Sequence, residues 1–389
     1  AIIFDEGNTA VVILGLKIAS FTYGGLLSLF LLSQIDKPIP SLILIIGLFM
    51  SFLSVFLLEF YGIAWTWYIG VAVFINLFTE TLRNQGIEVR FVDPSEPNNF
   101  LEATDENTRA YFGETIPNPK LNIFPIKEIS DIGRKLGIPL IIDNTAAPII
   151  SKPIIHGASI VIHSTTKYIG GHGTSIGGII IDSGNFNWED FKERQPLLNN
   201  PDPSYHGAVW TEAVKPLGPI AYILKARVTL LRDIGGAMSP FNAFQFIQGL
   251  ETLPLRIKEQ CKNAKLVADH LSLSKLVDKV IYPSLFTGEN KKRVNRYLEN
   301  GFGALVGFEI NGGIETVKKF IDSLKLFYHL ANIGDSRSLA IHPASTTHSQ
   351  LTPDEQIATG VTPGYIRLSV GIEHIDDILE DIEQALKKS

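Results

Sequence analysis

The strongest constraint on the fold is an abrupt change in hydropathy near residue 80. Residues 11–79 contain three long apolar runs with short polar breaks, and each run is close to the ~20 residues that cross a bilayer. The motif "WTWY" opens the third run, as expected for aromatic side chains at a membrane interface. We therefore predict three transmembrane helices within residues 1–79; three buried core helices of a soluble protein are the alternative.

The charges near these runs predict how the helices would be oriented. Lys37, Arg83 and Arg90 would lie on one side of the membrane. Asp5, Glu6 and Glu59 would lie on the other. Because basic residues are retained on the cytoplasmic side, we expect the rest of the chain in the cytoplasm, anchored to the inner or plasma membrane.

The composition of the chain limits its partners and its compartment. The net charge is −6, whereas a nucleic-acid-binding domain needs a basic face, so no nucleic-acid partner is expected. Cys261 is the only cysteine, which excludes an intrachain disulfide and favours a reducing compartment.

From about residue 76, strand-like runs alternate with helix-like runs, which indicates an α/β fold with a mostly parallel sheet. Residues 124–137 have the pattern of an amphipathic helix that ends at Gly137. The predicted strands of this sheet are residues 87–93, 108–114, 139–144, 159–165 and 177–182.

The C-terminal part has a different pattern. Long helices are predicted first, and the strands that follow them indicate a smaller α+β domain. The helices are expected at 214–232 and 242–271, and the strands at 303–310 and 365–371. We therefore predict three parts of the chain, with boundaries at residues 1–79, 80–235 and 236–389.

Polar side chains follow the predicted strands where ligands bind in open α/β sheets, at the carboxyl ends. Asp143 ends one strand, Ser164, Thr166 and Lys167 follow the next, and Asn118 lies in the loop after residues 108–114. This set suits pyridoxal phosphate. A lysine amine can bond its aldehyde, a carboxylate can pair with its ring nitrogen, and hydroxyls can donate to its phosphate.

Each of these features also has a plainer interpretation. A lysine after a strand is usually a surface residue, and Asp143 with Asn144 can cap the following turn. The "GGHG" loop lacks the lysine-serine pair of a Walker motif and is more often only a turn. Four histidines could be metal ligands, but their spacing fits no zinc pattern, and we predict no metal site. They are His156, His163, His172 and His206.

Several long motifs occur in order and carry a specific resemblance. They are "LIIDNTAAP", "IVIHSTTKYIGGHGTSIGGIIID", "DPSYHG", "MSPFNAFQFIQGLETLPLR" and "PGYIRLSVGIEHIDDI". From about residue 76 onward the chain resembles the Cys/Met-metabolism family of pyridoxal-phosphate enzymes, and within it the O-acetylhomoserine sulfhydrylases. The resemblance implies fold type I, a pyridoxal 5'-phosphate cofactor, a homo-oligomer and γ-replacement on an amino-acid substrate. O-acetylhomoserine and sulfide or methanethiol would give homocysteine or methionine, with release of acetate.

The resemblance also implies a role for each cofactor-site residue. Lys167 matches the lysine that forms the Schiff base, and Asp143 matches the partner of the pyridine nitrogen. Ser164 and Thr166 match hydroxyls that bind the phosphate, and Asn118 matches an asparagine near the 3-hydroxyl of the cofactor.

Two further residues match the substrate site of the family. Arg367 matches the arginine that binds the substrate α-carboxylate, for which a bidentate guanidinium is suited. Asn332 stands where many relatives have a serine that assists this arginine.

Residues 5–75 instead resemble the late transmembrane helices of sodium/solute symporters, through "KIASFTYGGLLSLFLL" and "GIAWTWYIGVAV". This segment stands where the enzyme family has an N-terminal portion that helps to bind the cofactor phosphate. The resemblance therefore implies weakened cofactor binding and a strand at 87–93 that lacks its usual neighbour. Three hypotheses follow: an impaired enzyme, a membrane-anchored fusion with a symporter fragment, and an inactive chimera.

Overall fold

The computed structural model describes residues 82–349 and 351–389, which belong to one compact unit, Phe78–Ser389. The predicted transmembrane helices and the symporter-like segment lie outside the described residues. Among the helices within 82–349 and 351–389, each is too short or too polar to cross a bilayer.

Two sheets organise the described part of the chain. The first has the order β1-β2-β3-β4 and the second has the order β5-β6-β9-β8-β7. The strands are β1 Tyr111–Glu114, β2 Leu140–Asp143, β3 Ile160–Ser164, β4 Gly178–Asp182, β5 Val277–Ile281, β6 Leu305–Ile310, β7 Tyr328–His329, β8 Leu339–Ile341 and β9 Tyr365–Ser369.

Helices connect and cover these sheets. The α-helices are α1 Leu82–Asn84, α2 Asn98–Glu102, α3 Ile126–Leu136, α4 Pro196–Asn199, α5 Trp210–Ala213, α6 Ala221–Ala226, α7 Pro240–Leu271, α8 Gly288–Tyr297, α9 Gly313–Ser323, α10 Pro353–Thr359 and α11 Ile375–Leu386. A π-helix, Arg227–Asp233, continues directly from α6.

The first sheet is mostly parallel, as predicted. β1, β2 and β3 run parallel, and β4 pairs with β3 in the antiparallel direction. The helix α3 forms the crossover between β1 and β2. It ends as predicted at Gly137, whose φ of 72° lies in the left-handed region and whose N–H donates to the carbonyl of Arg134.

One hydrophobic core joins the two sheets. It contains Leu140 and Ile142 of β2, Val306 of β6, Leu368 of β9 and Ala264 of α7, all of them buried. The predicted strands at 303–310 and 365–371 are confirmed as β6 and β9. Both predicted parts, 80–235 and 236–389, lie in the compact unit Phe78–Ser389. The boundary between them stays a prediction.

One predicted strand is wrong, and one predicted helical stretch is interrupted. Residues 87–93 form no strand. Within residues 82–349 and 351–389, β1 pairs only with β2 and has no bonded neighbour on its other edge. Ile87 and Phe91 are therefore exposed. The long helical stretch predicted around 214–232 consists of a 3-10 turn at Lys215–Leu217, then α6, then the π-helix. Pro216 and Pro219 lack the N–H groups that a continuous helix requires.

Candidate active site

The carboxyl ends of β1, β2 and β3 bring polar side chains to one edge of the sheet. Glu114 and Asp143 are paired positions on parallel strands, so their side chains project from the same face. The Thr145 N–H donates to Oδ1 of Asp143 at 2.8 Å, and Oγ1 of Thr145 accepts from the Ser164 N–H at 2.7 Å. Thr145 thus couples the end of β2 to the end of β3.

Lys167 lies in the tight turn that follows β3. Its N–H donates to the Ser164 carbonyl at 3.2 Å, and its own carbonyl accepts from the Gly171 N–H at 2.8 Å. The amine Nζ donates to Oδ1 of Asn332 at 2.6 Å. Burial, reinforced by the nearby charge of Arg367, lowers the pKa of the Lys167 amine to about 8. About a tenth of this amine is therefore neutral at pH 7, far more than for an ordinary lysine.

Within the part of the chain that the structure describes, Arg367 is a buried cation without a carboxylate partner. It lies on β9, and its Nη2 donates to the backbone carbonyl of Asn332 at 2.9 Å. Its Nε is buried and has no hydrogen-bond partner. Burial lowers the pKa of the guanidinium to about 10. A buried guanidinium with a free donor is suited to bind an anion such as a carboxylate.

Asn332 links the two sheets at the site. Its side chain accepts from Lys167, which follows β3, while its backbone carbonyl accepts from Arg367 on β9. The structure therefore brings the lysine and the arginine of the predicted set to one residue. The serine-like supporting role implied for Asn332 is compatible with this contact and remains a prediction.

Asn118 and Thr166 belong to the loops that follow β1 and β3. Oδ1 of Asn118 is buried and has no hydrogen-bond partner, and the Asn118 N–H donates weakly to Glu114 at 3.4 Å. Oγ1 of Thr166 accepts from the Gly177 N–H at 3.0 Å. Of the predicted site residues, only Thr166 borders the neighbouring cavity of about 370 Å³. The other polar residues that line this cavity are His172, Thr174, Ser175, Gln245, Gln248 and Thr252.

Sequence reasoning missed Glu114. Burial, and then the charge of Asp143, raise the pKa of the Glu114 carboxyl from 4.5 to about 7. The signal was present in the sequence, because Glu114 ends a predicted strand as Asp143 ends the next one. It was overlooked because an exposed glutamate is the common interpretation of that position.

No group of three or more histidine, cysteine, aspartate or glutamate side chains in residues 82–349 and 351–389 could hold a metal ion. His163 is half-buried, and this burial lowers its pKa, although the charge of Asp143 opposes this shift. His163 therefore belongs to the surroundings of Asp143.

The comparison with known families decides the assignment. The family described as "Cys/Met metabolism PLP-dependent enzyme" matches residues 71–387. The chain belongs to this family. The O-acetyl-L-homoserine sulfhydrylase of Leptospira meyeri is 54% identical over 319 residues, which are 80% of this chain and 72% of that protein. The homocysteine synthase of Schizosaccharomyces pombe is 46% identical over 314 residues, again 80% and 72% of the two chains.

A solved structure agrees with the fold. It is described as a putative O-acetylhomoserine (thiol)-lyase from Campylobacter jejuni with N'-pyridoxyl-lysine-5'-monophosphate. The TM-score is 0.76 at 38% identity, with 80% of this chain and 74% of that chain covered. The expected pyridoxal-phosphate fold type I is thereby confirmed for the matched part.

The residues at the sheet edge fit the cofactor of the family. Pyridoxal phosphate needs an amine, an anion for its ring nitrogen and polar groups for its other substituents. The partly neutral amine of Lys167 and the carboxylate of Asp143 meet the first two needs. The buried, unpartnered oxygen of Asn118 is an orphaned polar group that a bound ligand would satisfy.

Proposed function

We propose that the chain replaces the acetate group at Cγ of O-acetylhomoserine by sulfide or methanethiol, giving homocysteine or methionine. One observation carries the proposal: Asn332 holds both a partly neutral lysine amine and a buried arginine with a free donor. The names of the relatives, which include an O-acetyl-L-homoserine sulfhydrylase and a homocysteine synthase, support the choice of substrate.

Arg367 binds the α-carboxylate of the amino-acid substrate in this proposal. Its Nη2 is already oriented by the Asn332 carbonyl, and its buried Nε lacks a partner that the carboxylate would supply. A planar guanidinium can donate two parallel hydrogen bonds to a carboxylate, which fixes the orientation as well as the affinity. The α-carbon of the substrate is then held beside the Lys167 amine.

Lys167 moves protons during the reaction. Bound pyridoxal phosphate supplies an electron sink for the substrate carbons. The neutral Nζ of Lys167 takes a proton from Cα of the substrate and then moves a proton at Cβ. A base works best in such steps when its pKa lies near the operating pH. The pKa of about 8 satisfies this condition, whereas an ordinary lysine does not. Asn332 orients Nζ through the 2.6 Å hydrogen bond.

The remaining site residues hold the cofactor. Asp143, oriented by the Thr145 N–H, pairs with the ring nitrogen. Asn118 contacts the ring hydroxyl, and the hydroxyls of Ser164 and Thr166 bind the phosphate. The Thr166 hydroxyl is kept at the start of the glycine-rich loop by its hydrogen bond with Gly177.

The test is turnover by the full-length protein with added pyridoxal phosphate, O-acetylhomoserine and sulfide, measured as homocysteine and acetate. We expect Lys167→Ala to lower turnover by at least about a hundredfold, which is the usual contribution of a general base. It should also abolish the visible absorbance that the bound cofactor gives the wild type. Lys152→Ala is the matched control, because Lys152 is an exposed lysine paired with Glu299.

Two results would contradict the proposal. Lys167→Ala could retain turnover, or the wild type could bind the cofactor and release no acetate. The second result would favour the inactive-chimera hypothesis. A wild type that prefers methanethiol to sulfide would support the reaction class and would select methionine as the product.

Membrane attachment through residues 11–79 stays a separate prediction, supported by the hydropathy of that segment. Fractionation of expressing cells is its test. Recovery of the full chain in the membrane fraction, with extraction by detergent but not by high salt, is the expected result. A freely soluble and monodisperse full chain would contradict it.

A further inference from the structure

The edge of the first sheet holds a second carboxyl group that the proposed mechanism does not use. Glu114 ends β1 and is paired in register with Asp143, the last residue of β2. Both side chains therefore project from the same face at adjacent strand ends, about one strand spacing apart. A hydrogen bond of 3.4 Å from the Asn118 N–H further ties Glu114 to the loop that carries a cofactor ligand.

Two neighbouring carboxyl groups in a partly buried site do not both ionise easily, because each anion disfavours the other. The Thr145 N–H donates to Asp143 and stabilises its anionic form. For Glu114, the only hydrogen bond from the described residues that favours the anion is the long one from the Asn118 N–H. The shared proton of the pair is therefore expected on Glu114.

The other charged groups around the pair do not neutralise Glu114. His163 on β3 is within range of the Asp143 charge, and burial lowers the pKa of this imidazole, which favours its neutral form. The Lys167 amine donates to Oδ1 of Asn332, and Arg367 donates to the backbone carbonyl of Asn332.

We propose that Glu114 is a positioning residue that holds a proton beside Asp143 and releases it when a cationic pyridine ring binds there. This inference rests on the proposed function, since it takes Asp143 as the partner of the ring nitrogen. Binding of a positive ring beside the pair adds an attraction that only the ionised Glu114 gains. By linkage, the pKa of Glu114 must fall on binding, and a proton leaves the site.

The cofactor-free protein provides the first test. The pKa of Glu114 is about 7 in the folded protein and 4.5 in the unfolded chain. The wild type therefore loses free energy of unfolding as pH rises from about 4.5 to about 7, because the unfolded chain releases the Glu114 proton before the folded protein does. Glu114→Gln keeps the shape and the neutral charge at every pH. Relative to wild type, its folding equilibrium constant should therefore improve about 70-fold between about pH 5 and about pH 8.

The second test counts protons on cofactor binding. Pyridoxal phosphate is titrated calorimetrically near pH 6.5 in buffers of different ionisation enthalpy. The dependence of the binding heat on the buffer gives the number of protons released on binding. Wild type should release roughly two thirds of a proton more than Glu114→Gln if the pKa of Glu114 falls by more than one unit. Glu102→Gln, which changes an exposed glutamate of α2, should match wild type in both tests.

These outcomes separate this inference from the proposed function. A pH-independent stability difference between wild type and Glu114→Gln would overturn the proton-holding role without any reference to turnover. Equal proton release by the two proteins would overturn the coupling to the ring. Confirmed proton release without acetate production would instead count only against the proposed reaction.

Discussion

Replacing Lys167 by methionine in the cofactor-free protein should stabilise the fold near neutral pH, although it removes the proposed catalytic amine. Burial and the charge of Arg367 lower the pKa of this amine from 10.5 to about 8. That difference corresponds to about 3 kcal/mol of unfavourable free energy in the protonated form. The variant also loses the hydrogen bond to Asn332, which costs about 1.5 kcal/mol for a charged donor. The net gain is therefore about 1 to 2 kcal/mol near pH 7.

The pH dependence is the sharper test of this reasoning. The folded pKa of Lys167 lies below its unfolded value, so the penalty is fully present below about pH 8 and disappears as pH rises toward 10.5. The advantage of Lys167→Met should fall by about 2 kcal/mol between about pH 7 and about pH 9.5. Urea unfolding at both pH values, followed by tryptophan fluorescence, measures the change.

Lys152→Met is the matched control, since it removes an exposed lysine that is paired with Glu299. Its effect on the free energy of unfolding should be small and nearly independent of pH. A difference between Lys167→Met and wild type that does not change with pH would refute the assignment of Lys167 as a buried, partly neutral amine.

Two further predictions concern the arginine and the packing beneath the lysine loop. Arg367→Lys removes the planar guanidinium group that can donate two hydrogen bonds to a carboxylate. KM for the amino-acid substrate should therefore rise by about 10- to 100-fold, and the cofactor absorbance should be retained. Loss of the absorbance would instead place Arg367 in the cofactor site. Gly249→Ala adds a Cβ that would lie 2.2 Å from the Ile169 carbonyl oxygen and 2.9 Å from that of Gly170. Thermal unfolding of Gly249→Ala should show a loss of about 1–3 kcal/mol in the free energy of unfolding. Gln248→Ala, on the exposed side of α7, should change this free energy little. Equal stability of the two variants would contradict the close approach of Gly249 to the two carbonyl oxygens.

Local pattern was sufficient where short-range chemistry decides the structure. The helix at 126–136 has an amphipathic repeat and ends at a glycine with positive φ, and both features are visible in the sequence. The strands that carry Asp143 and Ser164 were predicted to within one residue at each end, because buried parallel strands have continuous apolar runs. The motif around Lys167 was specific enough to indicate the cofactor.

Pairing between distant segments could not be deduced in the same way. Residues 87–93 have the composition of a strand, yet a strand exists only where a neighbour supplies its hydrogen bonds, and β1 supplies none. The helical stretch expected at 214–232 is interrupted for a local reason instead, because Pro216 and Pro219 lack the N–H groups that a continuous helix requires.

By itself the sequence determined the fold class, the cofactor family and the identity of the residues that follow each strand. Only the tertiary structure decided which of them act together. Asn332 meets Lys167 across 165 positions of the chain, and Glu114 meets Asp143 through the register of two parallel strands. Burial and a neighbouring charge shift the pKa of Lys167 and of Glu114, the charge being that of Arg367 for the amine and of Asp143 for the carboxyl. Burial and these neighbours exist only once the chain has folded.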